Sequence, residues 1–93
     1  MVQARWNGVT IADSDETIVI EGNHYFPPGS IDWNLLEGTS ETTVCPWKGT
    51  ANYFTIAVKG ALNANGAWTY RDPKPEAEAI RNYVAFWRGV DVR

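Results

Sequence analysis

Residues 51–58 carry the pattern that constrains this chain most, because apolar side chains recur there at every second position. Successive side chains of a strand point to opposite faces of a sheet, so Phe54, Ile56 and Val58 share one face, directed toward a core. Tyr53 lies on the opposite face. The segment therefore predicts the strongest β-strand of the chain.

Short turns separate this strand from several others. Asn7-Gly8 is a two-residue hairpin signal, because both residues accept a positive φ. A strand at residues 24–26 must end at the two following prolines, since proline cannot donate a hydrogen bond to a sheet. Further turn chemistry occurs at Gly22-Asn23, Lys59-Gly60 and residues 63–66. Further extended segments are expected at residues 9–12, 17–21, 39–44, 67–70 and 84–87.

Two short helices are expected among the strands. Ser30 is a suitable N-cap for a helix over residues 31–36, which Gly38 can end. The prolines of residues 72–75 fit the first turn of a second helix over residues 76–82, because the N–H groups there have no intrahelical partner. The predicted fold class is mainly β: a small antiparallel β-barrel or two packed sheets, with one or two short helices. Barrel and sandwich both stay open, since local patterns do not determine how sheets close.

The length of 93 residues suits a single domain over residues 1–93. A chain this short buries only roughly 60 to 65% of the surface that its unfolded form exposes. Five Trp, four Tyr and three Phe offset this limit, because each large ring removes much apolar area from water. Most of the aromatic side chains are therefore expected in the core.

Charge and cysteine content narrow the functional classes. The net charge of −3 argues against a nucleic-acid partner, which requires a basic surface. One cysteine and one histidine supply neither an internal disulfide nor a set of zinc ligands, and no cofactor motif is complete, so we expect no metal and no cofactor. The amino terminus lacks the apolar core of a signal peptide, and no stretch is long enough to cross a bilayer. We predict a cytoplasmic protein without a membrane partner.

The segment Cys-Pro-Trp-Lys-Gly at residues 45–49 is the strongest candidate for a site, because it places the only cysteine and a lysine in one turn between two strands. Cys45 becomes a candidate nucleophile if Lys48 lies close enough to favour the thiolate. The usual base for such a thiol is histidine, and only His24 is available. The simpler interpretation is that Cys45 is a small buried apolar residue.

Lys48 has three possible environments: solvent, the face of Trp47, or an ion pair with Glu21, which we favour because both residues flank strands and carry opposite charge. A pair buried there would mark a pocket with aromatic walls, suited to a small planar or cationic ligand. The competing interpretation is an aromatic core without a ligand. The predicted ligand-binding residues are Glu21, Tyr25, Cys45, Trp47, Lys48, Tyr53 and Trp68, with Tyr70 in the same constellation.

Six blocks of the chain together resemble the domain-of-unknown-function 427 family, and the resemblance spans nearly the whole chain. The most specific block is Cys-Pro-Trp-Lys-Gly at residues 45–49, since no common motif has that order. The other blocks follow in the order and spacing of the family: Trp-Asn-Gly at residues 6–8, Glu-Gly-Asn-His-Tyr-Phe-Pro at 21–27, Ala-Trp-Thr-Tyr at 67–70, Asp-Pro-Lys-Pro at 72–75 and Val-Ala-Phe-Trp at 84–87. The resemblance implies a small, mainly β, single-domain protein without an established activity, in a family sometimes labelled nucleotidyltransferase-like.

That label can be compared with the chemistry of nucleotidyl transfer. Polymerase-type transfer uses a Gly-Ser pair for the triphosphate, followed by two aspartates that hold divalent ions. Here Asp13-Ser14-Asp15 precedes Gly29-Ser30, which reverses the order. A polar turn explains the first motif and a helix cap the second. The nucleotide interpretation requires both motifs to converge on one cleft.

Three functional classes follow. The first is a noncatalytic domain that binds a small ligand or a protein partner through the turn at residues 45–49 and its aromatic neighbours. The second is an enzyme, either thiol-dependent through Cys45 and Lys48 or nucleotidyltransferase-like. The third is a self-association module, a homo-oligomer in which exposed tryptophans anchor the interface; the candidates are Trp33, Trp47 and Trp87.

Overall fold

The structure, a computed structural model, describes residues 1–93 and contains nine strands and three short 3₁₀ segments. The strands are β1 (Val2–Trp6), β2 (Val9–Ser14), β3 (Ile18–Ile20), β4 (Asn23–Tyr25), β5 (Leu36–Cys45), β6 (Gly49–Val58), β7 (Ala61–Thr69), β8 (Val84–Phe86) and β9 (Asp91–Val92). The 3₁₀ segments are Pro28–Ser30, Trp33–Leu35 and Pro75–Ile80. None of the helical segments is long and apolar enough to span a membrane.

A central antiparallel sheet, in the order β5-β6-β7-β8, organises the three layers of the fold. Its first face packs against the three-stranded sheet β2-β1-β9, and its second face packs against the hairpin β3-β4 and the segment Pro75–Ile80. The predicted mainly β class is therefore confirmed. Of the two predicted architectures, packed sheets form and a closed barrel does not.

The alternation in β6 distributes its side chains as the sequence predicted. Phe54, Ile56 and Val58 lie in the core of the first face, while Tyr53 is buried in a separate cluster on the second face. Both faces of this strand are thus covered, although by different layers. Within the sheet, β6 lies between β5 and β7, so both of its edges are paired as well.

Both predicted helical regions are present, but they are 3₁₀ segments and shorter than expected. In the first region Ile31 is extended and bridges to Ala12, so the helical turn starts only at Trp33. The cap is Asp32, whose carboxylate accepts a hydrogen bond from the backbone N–H of Asn34, and not Ser30. The second region begins with a proline in its first turn, as predicted.

The turn predicted at residues 63–66 is wrong, because these residues lie within β7. Their turn chemistry instead produces a bulge, where the register between β6 and β7 shifts and Asn65 adopts a φ of 55°. Gly66 leaves room there for the side chain of Asn63, since a Cβ atom at this position would lie 2.8 Å from the Cγ atom of Asn63 and would displace it. The bulge therefore uses the same residues that a turn would use.

Two-residue turns with positive φ at both positions connect three of the hairpins: β1-β2, β3-β4 and β6-β7. The predicted turn at Asn7-Gly8 is confirmed, with φ values of 52° and 79°, and so is the turn at Lys59-Gly60. The turn predicted at Gly22-Asn23 lies one residue earlier, at Glu21-Gly22, with φ values of 54° and 80°. This shift places Glu21 at the tip of the β3-β4 hairpin in a left-handed conformation.

We predict that Gly49→Ala destabilises the protein by about 1–2 kcal/mol, the cost of a left-handed conformation for a residue with a Cβ atom. Gly49 has a φ of 109°, and an added Cβ atom would lie 3.4 Å from the backbone nitrogen of Lys74. Urea denaturation measures the change. Gly29→Ala is the control, because Gly29 has no positive φ and no atom within 4 Å of the added methyl group. Equal losses in both variants would contradict this account.

Candidate functional site

Glu21 and Lys48 meet at one end of the second face, where the hairpin tips β3-β4 and β5-β6 lie together. The Nζ atom of Lys48 donates a hydrogen bond to the Oε1 atom of Glu21. The Lys48 side chain is 7% exposed, whereas the Glu21 side chain is 57% exposed. The predicted pairing is therefore confirmed, and the alternative of a lysine free in solvent is wrong.

Aromatic rings form much of the environment of the Lys48 ammonium. Its Nζ atom lies 5.2 Å from the ring centroid of Trp47 and 5.7 Å from that of Tyr70, within the range of a cation–π interaction. Lys48 is the only charged residue that is buried in this protein. Transfer of an ammonium group out of water costs free energy unless hydrogen bonds or an opposite charge offset the lost hydration. The buried Lys48 charge is therefore the exceptional feature of the site.

Each charge of the Glu21–Lys48 pair stabilises the ionised form of the other residue. The hydrogen bond from Lys48 and its positive charge lower the pKa of the Glu21 carboxyl. Burial acts to lower the pKa of the Lys48 ammonium, but the hydrogen bond to Glu21 and the nearby phenols of Tyr25 and Tyr70 raise it overall. Both residues are consequently ionised around neutral pH.

Two buried phenols lie beside the pair. Burial raises the pKa of Tyr25, and it raises the pKa of Tyr70 to about 12. The hydroxyl oxygen of Tyr25 accepts a hydrogen bond from the indole Nε1 of Trp68 at 3.3 Å. The phenols therefore remain neutral near pH 7, where they act as polar groups in an otherwise apolar wall.

A chain of aromatic rings runs from Lys48 across the second face. The Tyr25 ring packs against Tyr70 at 6.5 Å and edge-on against Trp68 at 6.2 Å. Trp68 lies 6.5 Å from Tyr53, and Trp87 extends the chain with a centroid 5.8 Å from that of Trp68. The structure thus brings Tyr25, Tyr53 and Trp68 together on the sheet, with Trp47 on the turn beside Lys48.

Cys45 is half-buried at the end of β5 and packs against the same cluster. The histidine that could have served as its base is engaged elsewhere, since Nδ1 of His24 hydrogen-bonds to the hydroxyl of Thr17 at 2.8 Å. The ammonium of Lys48 donates to Glu21 rather than to the sulfur. The His24 side chain forms no other hydrogen bond, so it does not contact the Cys45 thiol as a base.

Residues 72–74 hold the turn that carries Lys48. The backbone N–H of Lys74 donates to the carbonyl oxygen of Lys48 at 2.9 Å, and the Lys74 ammonium donates to the carbonyl oxygen of Pro46 at 2.7 Å. Gly49 permits this close approach. The sequence interpretation did not include Lys74 in the site, although the Asp-Pro-Lys-Pro block at residues 72–75 was the signal available for it.

No cavity opens at the Glu21–Lys48 pair. The one surface depression, of about 280 Å³, lies elsewhere and is lined by residues 10–13 and 29–32. It joins Asp13 to Gly29 and Ser30, but Asp15 pairs with the amino terminus at 3.2 Å. Of the two motifs considered for nucleotidyl transfer, Gly29-Ser30 lines the depression completely, whereas Asp13-Ser14-Asp15 contributes only Asp13. No group of three or more histidine, cysteine or acidic side chains is arranged to hold a metal ion.

The three tryptophans considered as interface anchors are partly exposed: Trp33 and Trp87 by 43% and Trp47 by 37%. Two of them are fixed by hydrogen bonds of their indole N–H groups. Trp33 donates to the carbonyl oxygen of Pro28 and Trp87 to that of Asn65, at 2.9 and 2.6 Å. Trp47 is the exposed ring that lies next to the Lys48 ammonium.

Comparison with known protein families gives one match. A family model described as a domain of unknown function (DUF427), with the label NTP_transf_9, matches residues 1–93. No curated protein matches the chain.

We predict that Tyr70 ionises with a midpoint near pH 12, compared with about 10 for a free tyrosine. Absorbance at 295 nm during alkaline titration of the wild type and of Tyr70→Phe isolates this phenol by difference. A pKa raised by folding stabilises the protein fully below the unfolded pKa, and that contribution is lost as the pH rises toward 12. A difference midpoint at pH 10 would show that Tyr70 is not desolvated.

Proposed function

The chain belongs to the DUF427 family of domains of unknown function, and we propose that it is a noncatalytic domain that binds a small ligand at Lys48 and the surrounding aromatic side chains. Such a ligand would contact Trp47 and the turn at residues 45–49, with Glu21 at the rim. Tyr25, Tyr53 and Trp68 would form the wall behind them. Cys45 would contribute apolar surface.

One observation carries the proposal: the only buried charge of the protein lies among aromatic rings and is paired with a side chain that is mostly exposed. A buried ion pair contributes little net stability, because desolvation of the charges offsets their attraction. Apolar side chains of similar volume would serve the core at least as well. Titratable groups perturbed by burial and by a specific partner are typical of functional sites.

Binding is favoured over catalysis by the state of the candidate reactive groups. A thiol mechanism needs a base for Cys45, and the only side-chain hydrogen bond of His24 is to Thr17. A nucleotidyltransferase-like mechanism through the Asp13-Ser14-Asp15 motif needs both of its carboxylates on one cleft, and Asp15 pairs with the amino terminus instead. Binding requires no reactive group, but it does require that Lys48 and its neighbours become accessible, because no cavity opens at the Glu21–Lys48 pair.

We expect small-molecule fragments to shift the backbone amide NMR signals of residues 45–49 in the ¹⁵N-labelled protein. Lys48→Met should weaken those fragments by about 10- to 100-fold, since a hydrogen bond to a charged group contributes about 1.5–3 kcal/mol. Lys48→Met should also fold, because an apolar chain replaces a buried charge. Lys59→Met is the matched control, as Lys59 is exposed at another hairpin turn.

Fragments that act only on other surfaces, such as the depression at residues 10–13, would contradict the proposal. Equal binding by the wild type and Lys48→Met would contradict it as well.

A further inference from the structure

We propose that the ligand is a small carboxylate with a flat apolar body, which takes the place of the Glu21 carboxylate on Lys48. This inference rests on the proposed function, because it names the ligand class for the same site. When no ligand is bound, the Glu21 carboxylate takes the position of the ligand carboxylate on the Lys48 ammonium. Glu21 is in this sense an internal substitute for the ligand.

The Lys48 ammonium has hydrogen-bonding capacity that Glu21 does not use. An ammonium group has three N–H donors, and this one has a single oxygen acceptor, on Glu21. The rings of Trp47 and Tyr70 lie near the same Nζ atom. Lys48 therefore presents a singly charged anchor in an aromatic environment, which is matched by one carboxylate. A phosphate, with its higher charge, would favour several cations together.

The Glu21 side chain can leave Lys48 without disturbing the core. It is 57% exposed, and Glu21 lies at the tip of a two-residue turn between short strands. Rotation of this side chain into solvent requires no change in either core cluster, since Glu21 belongs to neither.

Trp47 offers a surface for the apolar body of the ligand. Trp47 is 37% exposed and lies beside the ammonium, so part of its ring is free to contact a ligand held on Lys48. Flat apolar groups pack well against an indole ring. A carboxylate attached directly to a ring, as in benzoate, combines the anion for Lys48 with a surface for Trp47.

Glu21→Gln tests the inference, because glutamine removes the competing negative charge and nearly retains the size of the side chain. Benzoate is the probe, and isothermal titration calorimetry with amide NMR measures its binding. We expect Glu21→Gln to bind benzoate at least about tenfold more tightly than the wild type, since a tethered competitor acts at an effective concentration in the millimolar range. The double variant Glu21→Gln/Lys48→Met should not bind benzoate.

Benzamide and inorganic phosphate are the comparison ligands. Benzamide has the same ring without the charge, so its binding should not change between the wild type and Glu21→Gln. Inorganic phosphate that binds Glu21→Gln more tightly than benzoate does would overturn the inference about the ligand class. Equal affinity of benzoate for the wild type and Glu21→Gln would overturn the idea of an internal substitute.

A second variant covers a possible loss of folding. Glu21→Asn also lacks the carboxylate, and asparagine tolerates the left-handed conformation. If neither variant folds, Glu21 is a required structural partner of Lys48 and the inference is wrong. If both fold without binding benzoate while other fragments still shift residues 45–49 in the wild type, the inference fails and the proposed function stands.

Discussion

The burial of β6 on both faces is the constraint from which the architecture follows. One face carries Phe54, Ile56 and Val58, and the other carries the ring of Tyr53. Each face needs its own cover, so a chain of this length must divide its remaining elements between two layers. The sheet β2-β1-β9 covers the first face, and the β3-β4 hairpin with Pro75–Ile80 covers the second.

The chain changes from one layer to the other at two consecutive residues. Tyr25 belongs to the second cluster and Phe26 to the first, as expected for neighbouring residues in an extended segment. Phe26 and Val84 exchange two backbone hydrogen bonds, at 2.8 and 3.0 Å, and so attach this segment to the edge strand β8. The β3-β4 hairpin is held over the second face as a result, and its tip carries Glu21 to Lys48.

Four of the six sequence blocks that resemble the family acquire a common explanation in the structure. Blocks distant in sequence supply Glu21, Lys48 and Tyr70, and these side chains meet at one end of the sheet. The Asp-Pro-Lys-Pro block fixes the neighbouring turn through the hydrogen bond from Lys74 to Lys48. Positions that appear unrelated along the chain thus build one site, whose centre is a buried ammonium.

Local patterns in the sequence determined the mainly β class, the hairpin at Asn7-Gly8 and the two faces of β6, because each depends on the conformations of neighbouring residues. They also suggested the pairing of Glu21 with Lys48 from charge and position. They failed at residues 63–66, since the same glycine and asparagine chemistry suits a turn and a bulge, and only the register with β6 selects the bulge.

Three features were decided only by the tertiary structure: the layered arrangement of sheets, the burial of Lys48 and the hydrogen bond of His24 to Thr17 rather than to Cys45. Each depends on which distant segments pack together, and side-chain spacing along one strand contains no information about that packing. The sequence alone therefore determined the strands and the candidate residues. The packing of the three layers determined which of those residues are buried and which form ion pairs or hydrogen bonds with distant residues.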